Sequence, residues 1–75
     1  MMDLRSLRYV VTLARRLNYA RAAEDLGISQ PALTRAVQTI EKRFGVRLFD
    51  RDRSGVRLTT QGQTMVDAAA VLVAN

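Results

Sequence analysis

The chain has neither cysteine nor histidine among its 75 residues. Without cysteine there is no disulfide and no thiolate metal site, and a reducing compartment is permitted. Without histidine, the commonest general base and the commonest metal ligand are both missing. The acids are scattered, so no nucleophile–base constellation assembles, and an enzyme is the least favoured class. No cofactor and no metal site is expected. Long apolar runs are missing too. Arg5, Arg8, Arg15 and Arg16 interrupt any signal-peptide core. The apolar stretch from Met65 to Ala74 is too short to span a bilayer, so no membrane partner is expected. There is no internal repeat and no low-complexity linker.

What is present is a globular composition, 48% hydrophobic and 25% charged, rather than a disordered one. The length allows one domain, close to the lower limit for a self-supporting core. The net charge is +5, a balance that suits polyanions such as nucleic acid or an acidic membrane surface. Its distribution says more. All 12 basic residues lie between Arg5 and Arg57, and beyond Thr59 the only charged residue is Asp67. A cationic body is thus followed by an apolar tail, and the two suit different partners.

Residues 3–17 read as an amphipathic helix capped by Asp3. Leu4, Leu7, Val11 and Ala14 share one face, Val10 and Leu17 widen it, and the arginines form a solvated side. Asn18 and Tyr19 break the pattern. Residues 20–26 form a short second helix, with Ala22, Ala23 and Leu26 as its stripe and Gly27 as its left-handed end. Arg21, at its start, is either surface charge or a phosphate contact. Ile28 turns inward, Ser29 is a suitable N-cap, and Pro31 suits a first helical turn. The third helix runs from residue 30 to Phe44, before Gly45, with Leu33, Val37, Ile40 and Phe44 inward. Residues 46–59 then read as a two-stranded hairpin. Val46, Leu48 and Phe49 lead in, Ser54-Gly55 turns, and Val56 and Leu58 lead out. Glu41 is given a structural role, pairing along its own helix or with this hairpin. Arg51 and Arg53 fall near the hairpin tip, where Asp50 and Asp52 are within reach to pair with them. Thr59 or Thr60 caps a last helix, whose stripe is Met65, Ala68, Ala69 and Leu72.

Two helices joined by a three-residue turn with glycine make a helix-turn-helix. Ala23 lets the second helix approach the third, Gly27 turns the chain, and Ile28 and Leu33 plug the gap. The third helix is then the recognition helix. About 15 residues at 1.5 Å each span ~22 Å, enough to cross a major groove ~12 Å wide. With Leu33, Val37 and Ile40 inward, the residues Gln30, Pro31, Thr34, Arg35 and Gln38 face outward. Arginine pairs with the two acceptors of guanine, glutamine with adenine, and Pro31 can meet a thymine methyl. Ser29 and the helix N-terminus suit a phosphate. Arg51 and Arg53 would reach the backbone or the minor groove, as a wing does.

Residues 4–62 resemble the DNA-binding domain of LysR-type transcriptional regulators, which are bacterial. The blocks "AAEDLGISQPALTR", "IEKRFGVRLFDR" and "LTTQG" match in order and spacing. The resemblance implies a mainly α fold: a winged helix-turn-helix, with a three-helix core and a two-stranded wing, then a linker helix that dimerises. The expected division is 1–59 for the winged helix-turn-helix and 60–75 for the linker helix, which would begin the rest of a longer protein. An effector ligand would belong to the C-terminal domain not represented here. The family's base-reading group falls on Gln30, Pro31, Thr34 and Arg35, and its phosphate contacts fall near Ser29 and on Arg51. Serine is usual where Thr34 stands, and the hydroxyl is kept. Serine or threonine is common where Ala20 stands, which leaves Asn18 as the alternative cap. Arginine is common where Ser54 stands, and here Arg53 is its neighbour.

The implied partners are a pseudo-palindromic double-stranded operator and a second copy bound through Met65, Ala68, Ala69 and Leu72. The implied location is the cytoplasm, on the nucleoid. The competing class is a winged helix used for protein contact or RNA binding, with basic charge serving only solubility. Salt dependence of affinity separates the two.

Overall fold

Four side chains set the helix starts. In the computed structural model, which describes the backbone of residues 3–74 and the side chains of 3–71, Asp3 caps α1 (Leu4–Arg16) by accepting from the Ser6 N–H at 2.8 Å. Asn18 caps α2 (Tyr19–Leu26) through the Arg21 N–H at 2.9 Å. Ser29 caps α3 (Gln30–Phe44) through the Ala32 N–H at 3.1 Å. Thr59 caps α4 (Thr60–Ala74) through the Gly62 N–H at 2.9 Å, and its own hydroxyl donates to the Arg47 carbonyl. Each bond satisfies a donor that the first helical turn would otherwise leave open. Asn18 thus replaces a cap at position 20, and α2 begins one residue earlier than its apolar pattern suggests.

Between α3 and α4 stands an antiparallel hairpin, β1 (Phe49–Asp52) with β2 (Gly55–Leu58). Phe49 pairs with Leu58, Arg51 with Val56, and Asp52 with Gly55. The turn is therefore Arg53-Ser54, one residue earlier than Ser54-Gly55. Gly55, at φ 125°, closes the ladder instead of forming the corner. The architecture is a winged helix-turn-helix: three helices, a two-stranded wing, and a fourth helix packed back on α1.

Val10, Leu13, Ala22, Ala23, Leu33, Val37, Ile40, Leu48 and Phe49 form one core. Burying a side chain of Val or Leu size is worth ~1.5–3 kcal/mol, so this cluster dominates the stability of the domain. Three expectations are corrected here. Leu13 is fully buried beside the expected Val10 and Val11, whereas Leu4 is 55% exposed, so the inward face of α1 gains Leu13 and loses Leu4. Leu17 is the C-cap, at a left-handed φ of 49°, and is exposed rather than part of that face. Phe44, in the last turn of α3, is also exposed. At helix ends the face drifts off the core, because no element lies beyond them to cover it.

Candidate nucleic-acid interface

The turn between α2 and α3 orients everything outside it. Gly27 ends α2 at φ 69°, with nothing within 4 Å of where a Cβ would stand. Glycine is there for its backbone angle, not for space. The Ile28 N–H then donates to the Ala23 carbonyl at 3.0 Å, folding Ile28 back against the core. Leu33, Val37 and Ile40 bind α3 inward.

The opposite side of α3 carries Gln30, Pro31, Thr34, Arg35 and Gln38. These five line one shallow surface depression. Thr34 is half-buried and the other four are exposed. The side chains of Gln30, Thr34, Arg35 and Gln38 make no hydrogen bond or ion pair among the described residues. Their donors and acceptors are therefore open to an outside partner. Ser29 stands at the head of this row. Its oxygen accepts from Ala32, which leaves its hydroxyl proton free to donate to an anion.

On the wing, the two arginines separate. Arg53 sits in the turn and is exposed. Arg51 shares the face of the buried Phe49, because side chains alternate along a strand. Arg51 is exposed too, but it leans toward the helices, and its guanidinium carbon lies 4.8 Å from the centre of the Tyr19 ring. Asp50 and Asp52, expected within reach of these arginines, pair elsewhere. Asp52 meets Arg57 at 2.7 Å, and Asp50 meets Arg47 at 3.9 Å. Arg51 and Arg53 make no ion pair among the described residues.

Asp52 also accepts from the Ser54 N–H at 2.8 Å, which fixes the wing turn. Hydrogen bonds from Ser54 hold its carboxyl below the usual value of 3.8. A lowered folded value stabilises the turn above the unfolded pKa, and the contribution is lost as pH falls through the folded one. The Ser54 amide shift in NMR should thus titrate with a midpoint below 3.8. A midpoint at or above 3.8 would show that the bond does not persist in solution.

Between α3 and the wing lies a cleft of about 560 Å³, whose lining includes Tyr19, Thr34, Gln38, Lys42 and Arg51. Its deep wall is held by Glu41. That carboxylate accepts from the Leu48 and Phe49 N–H groups at 2.7 and 3.2 Å, and lies 3.8 Å from the Arg47 guanidinium. The sequence pattern does not single out Tyr19 or Lys42 for this cleft. Tyr19 is visible there only as a break in periodicity, and Lys42 only as one more surface charge.

On α4 the expected stripe is divided. Ala69 is buried against the body of the same chain, at 3% exposure, so it does not face outward. Met65 is half-buried and Ala68 exposed. The Leu72 side chain lies outside the described residues. Leu7, Thr64, Met65, Ala68 and Ala69 line an apolar groove between α1 and α4. No helix of the described residues is long and apolar enough to cross a membrane. No group of three or more potential metal-ligating side chains occurs among them.

A family model described as "Bacterial regulatory helix-turn-helix protein, lysR family" matches residues 4–63. The chain belongs to the LysR family. The helix-turn-helix of this LysR-family domain is α2 and α3, and its wing is β1 and β2. It is 47% identical over 72 residues to the regulator BudR of Raoultella terrigena, covering 95% of this chain and 25% of that protein. To the Hca operon transcriptional activator HcaR of Escherichia coli it is 46% identical, covering 95% of this chain and 24% of the activator. The chain thus spans about a quarter of the length of these curated relatives. Among solved structures, the BenM DNA-binding domain in complex with catB site 1 DNA superposes with a TM-score of 0.92 at 35% identity. The match covers 99% of this chain and 83% of that one. A CbnR DNA-binding domain–DNA complex matches with a TM-score of 0.89 at 36% identity, covering 96% and 83%.

Proposed function

We propose that this LysR-family domain binds double-stranded DNA in a sequence-specific manner, as the operator-reading part of a longer transcriptional regulator. One observation carries the reading. Gln30, Pro31, Thr34, Arg35 and Gln38 form an outward row on the first half of α3, and their polar side chains have no partner among the described residues. Arg35 and the glutamines read base edges in the major groove. Ser29, Arg51 and Arg53 hold phosphates on either side, and fix the register of the helix without reading sequence. DNA complexes of the BenM and CbnR domains, which share this fold, support the assignment.

Residues 1–59 form the reading unit and 60–75 the linker helix of the proposed division. Through Met65, Ala68 and Leu72 the linker joins a second copy, with Val71 as a further apolar member, 66% exposed. Ala69 supports this face from inside. The dimer reads two half-sites related by approximate two-fold symmetry. The regulator works on the nucleoid in the cytoplasm, catalyses no reaction, and responds to an effector held by its C-terminal domain.

Salt dependence tests the reading. Affinity for a duplex, followed by fluorescence anisotropy, should fall steeply with salt, with a logarithmic slope of about −0.9 per phosphate neutralised. A flat dependence would sink DNA binding and favour protein contact. Arg35→Ala should cost about 1–3 kcal/mol and relax preference at one base pair. Equal weakening on every sequence would mean that Arg35 holds a phosphate and reads no base.

A further inference from the structure

Arg51 occupies an unusual place for a cation. Strand alternation puts it on the inward face of the wing, with Phe49 on its own strand and Val56 and Leu58 opposite. The side chain is exposed, so it lies along that face at the surface rather than in the core. The nearby carboxylates are already engaged: Glu41 accepts from two backbone N–H groups, Asp50 pairs with Arg47, and Asp52 pairs with Arg57. What remains is the ring of Tyr19, 4.8 Å away. Tyr19 is the first residue of α2, immediately after the Asn18 cap. It is half-buried and packs against the core, so its ring is fixed by the helix-turn-helix itself. Burial also raises its pKa above the usual 10.0, so the ring remains a neutral phenol.

We propose that Tyr19 is a positioning residue for DNA binding. Its ring holds the Arg51 guanidinium at the mouth of the cleft between α3 and the wing, so that Arg51 meets a backbone phosphate already oriented. This rests on the proposed DNA-binding function, and adds that α2 sets the grip of the wing. The ring face attracts the cation through its quadrupole and leaves the N–H donors at the guanidinium edge free to point at phosphate oxygens. Ordering a flexible arginine before contact removes part of the entropy cost of binding. Lys42 lines the same cleft and adds positive charge without this constraint.

A double-mutant cycle on one duplex tests this. Tyr19→Leu should weaken binding about two- to five-fold, the range expected from an exposed cation–π contact. Tyr19→Phe keeps the ring and should bind nearly as well as the wild type. In an Arg51→Ala background, Tyr19→Leu should make no further difference. If Tyr19→Leu weakens binding equally in both backgrounds, Tyr19 is a packing residue only, and the proposal fails. It also fails if Tyr19→Leu binds like the wild type. Steep salt dependence in the wild type with no coupling in the cycle would overturn this inference while leaving DNA binding intact. A readout that needs no variant is the NMR spectrum of the wild-type chain. Arg51 Hδ and Hε protons should be shifted upfield by the Tyr19 ring current, and ordinary shifts there would contradict the proposal.

Discussion

Gly62→Ala should lower the thermal midpoint of the chain sharply, although glycine to alanine inside a helix ordinarily gains ~1 kcal/mol. Gly62 lies in the first turn of α4 and is buried. A Cβ there would fall far inside contact distance of the Leu48 carbonyl oxygen, and would stand 2.9 Å from Leu58 Cδ2 and 3.0 Å from the Leu48 carbonyl carbon. Two of these three atoms are backbone and cannot rotate away. The Leu48 carbonyl also accepts from the Thr59 N–H at 3.0 Å, so moving it breaks the join between wing and α4. Overpacking of this kind typically costs ~1–3 kcal/mol, and contact with backbone puts it at about 3. At ~4–8 °C per kcal/mol for a domain of this size, the midpoint should fall by roughly 12–24 °C. Circular dichroism melts measure this directly. An unchanged or higher midpoint would mean that α4 does not seat against the wing as described.

Glu41→Ala should be comparably damaging, and its effect should reach binding as well as stability. Glu41 is on α3, and its carboxylate takes the N–H groups of Leu48 and Phe49. Both of those residues are buried, at 0% and 3% exposure. Alanine leaves both donors without an acceptor, at ~1–3 kcal/mol each. A loss of about 2–6 kcal/mol in urea unfolding is expected, against a total that for small domains is ~5–15 kcal/mol. Because these bonds tie the root of the wing to the recognition helix, duplex affinity should fall even at temperatures where the variant remains folded. Glu41→Gln keeps one carbonyl acceptor and should lose clearly less. A Glu41→Ala loss below ~0.5 kcal/mol would show that water satisfies both amides and that the carboxylate is dispensable.

The order of elements was legible because local signals agreed. Asp3, Ser29, Gly27 and Gly45 mark helix ends through side-chain or backbone-angle preferences that act over about one helical turn. The outward row on α3 followed from the inward Leu33, Val37 and Ile40, since a period of about 3.6 residues fixes both faces at once. What depended on distant neighbours was not legible. The preference of α1 for Leu13 over Leu4 is set by where α3 and α4 lie. The close approach at Gly62 is set by the backbone of Leu48, on the far side of the wing. Gly27 and Gly62 look alike in the sequence, yet one is required for its φ and the other for lack of a side chain.

The candidate site followed the same division. The proposed reading row lies on one helix and is visible whole in its spacing. The wing contributes through strand register, and a one-residue difference in the turn separates an inward Arg51 from an Arg53 at the tip. Tyr19 acts between α2 and the wing, so no spacing along the chain signals it. On α4, apolar residues surround most of the helix. The pattern alone did not tell Ala69, which packs inside the chain, from Ala68, which faces out.

Base reading by α3 is best tested by selecting bound duplexes from a random pool and sequencing them. An enriched short motif in two inverted copies is expected, with Arg35→Ala losing information at a single position of each half. Recovery of unenriched sequences by a chain that binds DNA, or of the same motif unchanged by Arg35→Ala, would contradict reading of bases by the outward face of α3.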